Sequence, residues 1–599
     1  MSQSLYSDSA VAPEAIDAPL DVAERRHVAP RKQPWLFPAV FGAWILAVAY
    51  FGPRLLSLVS LADSGWGFAS IAFFAVFAQI AWLYGFYNIA VVAFALIDRS
   101  KRREPAPVVT ETPAVAILYT TCDDFVERSA ESCVAQDYPN FHVYLLDDSS
   151  TLAARARVDA FAMRFPDRVT VVRRPNRQGF KAGNLNHALE KVAHEPLFAV
   201  VDADEVLPKN FLADMTPWLL SNDACGFVQA NHRSRPDDES PFARDLGVGI
   251  DIHWKWYQPL RNRYGFVMFL GHGAVLRRTC WQEVGGFPEI VSEDLGYAIA
   301  LRERGYYGRF VEDVVCQEEF PATVRAFRIR HVKWTRGTCE FLHQWMARLV
   351  RAKNITTTEK LDILFPTLNL PLTFFFFLFM INAALILPMA LGVMRDLTIV
   401  VFGQEFVIPT IALRTGAERM AGLDFFAITM MTIIAPVLCF ILSLASQPLK
   451  LVRFLAYSTA IYAALSPLSF IAVAGYALSR QAQFLVTGAN AAAVDRRGQR
   501  GGVWEFLCRT HPDSGVVQAI EFGAGAGFLA AALMTFQVGF AGVAIGFMLL
   551  PLMHEGGWRR GAARVWVWAP FTLIATGVAM GSAGVMGLQP VLFGFGFHF

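Results

Sequence analysis

Charge is scarce in this chain. Only 17% of its 599 residues are Asp, Glu, Lys or Arg, against 54% hydrophobic, and a soluble protein of that size would have difficulty hiding so much apolar surface. Part of that surface must face lipid. The net charge of +2, with no contiguous basic stripe away from the apolar runs, excludes a nucleic-acid binder. Cysteine is sparse as well: eight residues, at 122, 133, 225, 280, 316, 339, 439 and 508, with no CxxC pair. That spacing indicates neither a disulfide framework nor a zinc site and fits reduced thiols facing the cytosol. The first 34 residues lack the apolar core of a cleavable signal peptide and read as a disordered cytosolic tail, 1–34.

What is abundant is apolar length, unevenly spread. Residues from about 98 to 350 have ordinary soluble composition, and both flanks hold long runs with almost no charge. A spanning helix needs about 20 apolar residues. Candidates lie at 36–58, 68–96, 366–393, 423–446, 452–478, 516–536, 538–554 and 565–587. Arg25, Arg26, Arg31 and Lys32 place the N-terminus inside, and Arg99, Lys101, Arg102 and Arg103 hold the following domain in the cytosol. Basic residues flank 452–478 on both sides, Lys450 and Arg453 before it and Arg480 and Arg496 after it. We therefore expect it to lie in the interface, broken at Ser466-Pro467, leaving seven spans. The expected layout is a transmembrane hairpin at 35–97, a cytosolic domain at 98–350, interfacial and transmembrane helices at 351–480, a cytosolic loop at 481–515 and C-terminal transmembrane helices at 516–599. A multi-pass protein of the inner (plasma) membrane follows.

Within the soluble part, Val115–Tyr119, Phe141–Leu146 and Leu197–Val201 read as buried strands separated by helical stretches, the pattern of a parallel sheet. Ligands of such sheets sit outside the carboxyl ends of the strands. The first run is followed by Asp123 and Asp124, the second ends in Asp147 and Asp148, and the third ends in Asp202-Ala203-Asp204. An Asp after a strand is often only a turn residue. An Asp-x-Asp can also hold Mg2+ or Mn2+ through hard carboxylate oxygens, and such an ion neutralises a sugar-nucleotide diphosphate. The companions Lys181-Ala182-Gly183-Asn184-Leu185-Asn186 and Glu293-Asp294 favour the second reading.

Taken with Gly271 to Arg278 and the basic-Trp stretch Arg330 to Trp334, these motifs make residues 113–490 resemble family 2 glycosyltransferases, especially the bacterial cellulose synthase and hyaluronan synthase group. The resemblance implies an α/β GT-A (Rossmann-like) cytosolic domain set in a transmembrane helix bundle, a UDP-sugar donor and inversion at the anomeric carbon. It implies nucleoside contacts from Asp123 or Asp124, Asp147 and Asp148, a donor contact from Lys181, and a nucleotide and metal pair in Asp202 and Asp204. It makes Asp294 the catalytic base, consistent with direct displacement, in which one carboxylate takes the acceptor hydroxyl proton. Arg330, Lys333 and Trp334 stand where the family has Gln-x-x-Arg-Trp and would serve the departing diphosphate and the acceptor sugar. His272 replaces the family's usual Thr; it either touches the acceptor or packs.

Glu318 and Glu319 are expected to be surface or local ion pairs. Phe484, Val486 and Thr487 resemble the Phe-x-Val-Thr gating loop of cellulose synthase, without its following Lys. Closure of such a loop would keep water from the activated sugar. No cyclic-di-GMP-binding domain is expected. Asn369, Asn382, Gln518 and Glu521 interrupt apolar helices and either line a pathway or bond between helices. The expectation is a processive β-glycan synthase using UDP-glucose and a growing polysaccharide acceptor, exporting its product, with room for periplasmic or export partner subunits. The alternatives are single-sugar transfer to a lipid, or an idle membrane channel or scaffold.

Overall fold

The computed structural model describes residues 29–99, 104–237, 240–413, 423–482, 511–535, 537–554 and 560–582. The aliphatic runs of the central region become seven strands: β1 (Val115–Thr121), β2 (Phe141–Asp147), β3 (Val169–Val172), β4 (Leu197–Asp202), β5 (Cys225–Ser234), β6 (Ala274–Arg277) and β7 (Tyr307–Glu318). They form one mixed sheet in the order β3-β2-β1-β4-β6-β5-β7, in which β6 is antiparallel to both neighbours. Val115, Ile117 and Tyr119 are buried on one face, Ala116 and Leu118 on the other. Coverage of both faces is why these strands read as unbroken apolar runs. The parallel register sets Thr121 beside Asp147 and Thr120 beside Asp202, so β1, β2 and β4 finish level and deliver their acids to one edge.

Among the described residues, seven helices flanking this α/β domain or following it are long and apolar enough to cross a membrane: Leu36–Val59, Gly65–Arg99, Thr357–Leu391, Ala427–Leu444, Pro448–Ser479, Gly515–Thr535 and Gly561–Ala579. Length and composition select a different seven from those expected to span. Val538–His554, expected to span, is a shorter apolar helix, and Pro448–Ser479 satisfies length and composition. The expected break at Ser466-Pro467 is absent, and the reason is local. A helical proline removes the hydrogen bond to the carbonyl four residues back. Here that carbonyl belongs to Ala463, and the Ser466 hydroxyl donates to it at 2.7 Å. Both ends of this helix nevertheless touch the α/β domain. Arg453 pairs with Asp245 at 2.8 Å near the start, and the Tyr476 hydroxyl meets His343 Nδ1 at 3.1 Å near the end.

One element had no sequence expectation. β8 (Gly392–Val401) and β9 (Gln404–Leu413) form an antiparallel hairpin with Val401 opposite Gln404. Its two-residue turn, Phe402-Gly403, has positive φ at both positions (50° and 81°), as the twist of a tight hairpin requires. Of the polar residues within apolar helices, Asn382 accepts a bond from the Ser70 hydroxyl at 2.6 Å. It is an interhelical tie.

Candidate functional site

The four acids at the ends of β1 and β2 are all partnered within the chain. Asp123, at φ +62°, accepts from the backbone and hydroxyls of Ser150 and Thr151. Burial pushes its carboxyl up, but those hydrogen bonds win and hold it below the usual range. Asp124 accepts from the Cys122 amide at 2.6 Å and the Thr121 hydroxyl at 2.9 Å, closing its own turn. Asp147 is buried against Arg173 at 2.7 Å, and Asp148 takes a two-pronged bond from Arg174 at 2.9 and 2.6 Å. Arg173 and Arg174, just beyond β3, were not singled out in the sequence because an Arg pair after a strand carries no motif.

The acids of the second group crowd one another as well as their cations. Lys181, in the first turn of helix Phe180–Lys191, donates to Asp202 and to the Gly271 carbonyl at 3.0 Å. Burial alone would lower its pKa, but Asp202 and Glu293 raise it. Asp202 is held below its usual range against burial, chiefly by Lys181 and then by His272. Asp204 has less relief: burial, then the charge of Asp202, pushes it up to about 7 against the opposing pull of His272. Two half-buried carboxylates at a strand end, one of them raised by the charge of the other, fit a divalent cation by donor chemistry. Glu293 and Asp294 open helix Glu293–Glu303 at the same site, and burial pushes both carboxyls up, Glu293 further through the charge of Asp294.

The glycines around His272 allow close approach. Gly271, at φ +86°, lies with its backbone against Asp294 and Lys181, and a Cβ at Gly273, at φ +61°, would collide with His232 and Glu205. His272 Nδ1 lies 3.3 Å from Glu205, and its Nε2 lies 3.7 Å from Glu318. Burial opposes its protonation, but Glu205 raises its pKa to about 10. His272 is thus a cation packed beneath the site. Glu319 with Arg235 and Glu318 with His272 make the local ion pairs expected of these two acids. Glu205, buried with His232 Nε2 at 2.8 Å, was missed although it directly follows Asp204. Among the described residues, Glu205, His232 and Cys316 also bring three donor atoms within 4.8 Å of one another, all buried. This cluster is distinct from the Asp202 and Asp204 pair expected to hold metal.

The basic-Trp stretch lies on helix Val324–Arg351, capped by the Thr323 hydroxyl. Arg330 and Trp334, four apart, share a helix face, and the guanidinium sits 4.7 Å from the indole centroid and 4.7 Å from that of Phe320. Trp334 is 50% exposed. Burial lowers the pKa of Lys333, while Asp202 and Glu293 pull it back up. The structure therefore gathers Lys181, Asp202, Asp204, His272, Glu293, Asp294, Arg330 and Lys333 around one site. Phe484, Val486 and Thr487 lie outside the described residues.

Residues 113–337 match the family described as "Glycosyltransferase like family 2". The chain is 28% identical over 261 residues to glucomannan 4-beta-mannosyltransferase 1 of Cyamopsis tetragonoloba, covering 41% of this chain and 50% of that one. It is 27% identical over 230 residues to glucomannan 4-beta-mannosyltransferase 2 of Arabidopsis thaliana, covering 37% and 43%. The match thus spans about half the length, or less, of these curated relatives. Among solved structures, it is similar to the mannosyltransferase PcManGT of Pyrobaculum calidifontis, solved with GDP-Man and Mn2+, at 21% identity and a TM-score of 0.41, covering 68% of this chain and 98% of that one. Residues 113–337 are a family 2 glycosyltransferase domain, a mixed α/β sheet of GT-A type, flanked by apolar helices.

Proposed function

We propose that the protein is a processive, inverting glycosyltransferase that polymerises a β-glycan from a nucleoside-diphosphate sugar and passes it through its helix bundle. The observation that carries this reading is the convergence of Asp202, Glu293 and Asp294 on Lys181, with Asp204 next to Asp202, beside a helix that presents Trp334. Asp294 takes the proton of the acceptor hydroxyl as that oxygen attacks the anomeric carbon. The new C–O bond forms as the bond to the diphosphate breaks from the opposite face, and the nucleoside diphosphate leaves with both electrons. Lys181, Arg330 and Lys333 offset its charge. Asp202 and Asp204 would hold Mg2+ or Mn2+, which supplies further neutralisation of the diphosphate. Trp334 offers a flat surface on which a terminal sugar stacks.

UDP-glucose is the donor that the sequence reading favours. A mannosyl donor is the second reading, and the names of the curated relatives support it. The test is incubation of purified protein with radiolabelled UDP-glucose, UDP-GlcNAc and GDP-mannose, followed by digestion with linkage-specific glycanases. Label in a glycanase-sensitive polymer is the expected result; label confined to a lipid fraction would establish single-sugar transfer instead.

The catalytic domain faces the cytosol in this reading, and helix Pro448–Ser479 lies in the interface. Support comes from its two ends, which both touch the domain through Arg453 and Tyr476. Cysteines introduced beside Arg480 and Arg560 should then be shielded from an impermeant thiol reagent in intact cells. Labelling of either would place that helix across the bilayer.

A further inference from the structure

A set of polar side chains outside the site converges on one stretch of the helix that carries Trp334. Arg328 is fully buried, and its Nη2 donates to the equally buried Glu521 of helix Gly515–Thr535. Its Nη1 donates to Nδ1 of His554, 2.9 Å away at the end of helix Val538–His554. Because that nitrogen accepts, Nε2 bears the proton and donates to Asp513 at 2.7 Å. Asp513 accepts in turn from Arg325 Nε at 2.9 Å and Nη2 at 2.5 Å. Three residues after Arg328, His331 meets the Ser469 hydroxyl at 2.6 Å, on helix Pro448–Ser479. Three separate apolar helices thus place polar contacts on residues 325–331.

A buried ion pair adds little stability over a well-packed apolar pair, so its distinctive contribution is geometric: only one register satisfies it. Arg328 and Arg330 are two residues apart, which places them on opposed sides of the helix at roughly 100° per residue. Fixing the Arg328 side in the bundle therefore fixes the direction in which Arg330 and Trp334 face. A slip of one residue would move Trp334 by about 1.5 Å along the axis and turn it away, and a misplacement of about 1 Å can cost a hundredfold in rate.

We propose that Arg328, held by Glu521 and by His554, which is itself anchored on Asp513, is a positioning residue through which the C-terminal helices set Trp334 and Arg330 relative to Asp294, and so determine whether the bound sugar goes to the acceptor or to water. This rests on the proposed transferase reading. None of Asp513, Glu521 and His554 lies in the stretch matched by the family, residues 113–337, so this control belongs to the membrane part.

The experiment compares two rates in the full-length protein: sugar incorporated into polymer, and nucleoside diphosphate released without incorporation. An Arg328→Met/Glu521→Leu variant removes both buried charges together and so avoids leaving one unpaired. Incorporation should fall at least about tenfold and the apparent KM for added oligosaccharide acceptor should rise, while release to water stays within about twofold. Unchanged incorporation, or a parallel fall of both rates, overturns the proposal. His554→Gln provides the same ratio in a variant that retains the Arg328–Glu521 pair, and the same outcomes decide it. A wild-type protein that neither incorporates nor releases from any donor would instead refute the transferase reading itself.

Discussion

Two sets of carboxylates stand at one edge of the sheet in opposite circumstances. Asp123, Asp124, Asp147 and Asp148 each have hydroxyl, amide or guanidinium partners within the chain. Asp202, Glu293 and Asp294 crowd around Lys181 with Asp204 next to Asp202, and burial drives Asp204, Glu293 and Asp294 upward, as it does only Asp124 in the first set. A carboxylate already neutralised by its own protein shapes a loop. One left short of positive charge is a place where an ion, a proton or a charged substrate changes the energy most. We propose a structural role for the first set and a chemical one for the second, and each proposal can be broken separately.

The largest effect should come from Asp294. Asp294→Asn removes a proton acceptor without touching the diphosphate side, so transfer should fall about a thousandfold while nucleotide binding measured by calorimetry stays near wild type. Activity within tenfold of wild type would reject the base assignment. The pH dependence carries a sign as well. Burial raises the Asp294 pKa, and a base acts only when deprotonated. The acidic limb of kcat/KM should therefore turn at a pH above the ordinary aspartate value of about 3.9, and it should vanish in the residual activity of the Asn variant.

Asp204→Ala should be next. If Asp202 and Asp204 share a divalent ion, the change should lower transfer on the order of a hundredfold and abolish the metal dependence of UDP binding. Equal UDP affinity with and without Mg2+ in the wild-type protein would remove the metal role.

How much of this was legible in the sequence depends on whether a residue's job is local. The strand ends, the Asp-x-Asp and Glu293-Asp294 are contiguous signatures, and parallel register brought the strand acids together as expected. Glu205 was hidden because its partners, His232 and His272, come from other elements, β5 and the loop before β6. Arg173 and Arg174 meet Asp147 and Asp148 across 26 residues, and Arg328 meets Glu521 across 193. No periodicity encodes such pairings. The break foreseen at Pro467 failed for the opposite reason: the compensating hydroxyl is the adjacent residue, Ser466, and the sequence did contain it.

Trp334→Ala tests the boundary between the acid sets and the membrane. Loss of a stacking surface should slow polymer formation about tenfold, with membrane insertion and UDP binding preserved. A membrane anchor would show the reverse, poor insertion with normal turnover of the folded fraction. Polymer made at the wild-type rate by folded Trp334→Ala would require another acceptor path.

The smallest catalytic effect should come from Asp148→Asn, and it sharpens the comparison most. Both oxygens of Asp148 are engaged by Arg174, and the two side chains are almost fully buried, at 8% and 5% exposure. Removing the carboxylate leaves the buried guanidinium with only the Gln178 and Phe180 carbonyls as partners, and breaking a buried ion pair in this way costs up to about 3–5 kcal/mol. The predicted result is a clear drop in thermal stability with only a several-fold rise in donor KM, because the loop loosens while no reacting atom is lost. A double-mutant cycle with Arg174→Gln separates the possibilities. If Asp148 acts through Arg174, the second change should restore part of the lost stability and the KM effects should not add. Were Asp148 instead to spend its oxygens on the nucleoside, Asp148→Asn would raise KM by far more than the stability loss explains, and Arg174→Gln would leave that penalty untouched.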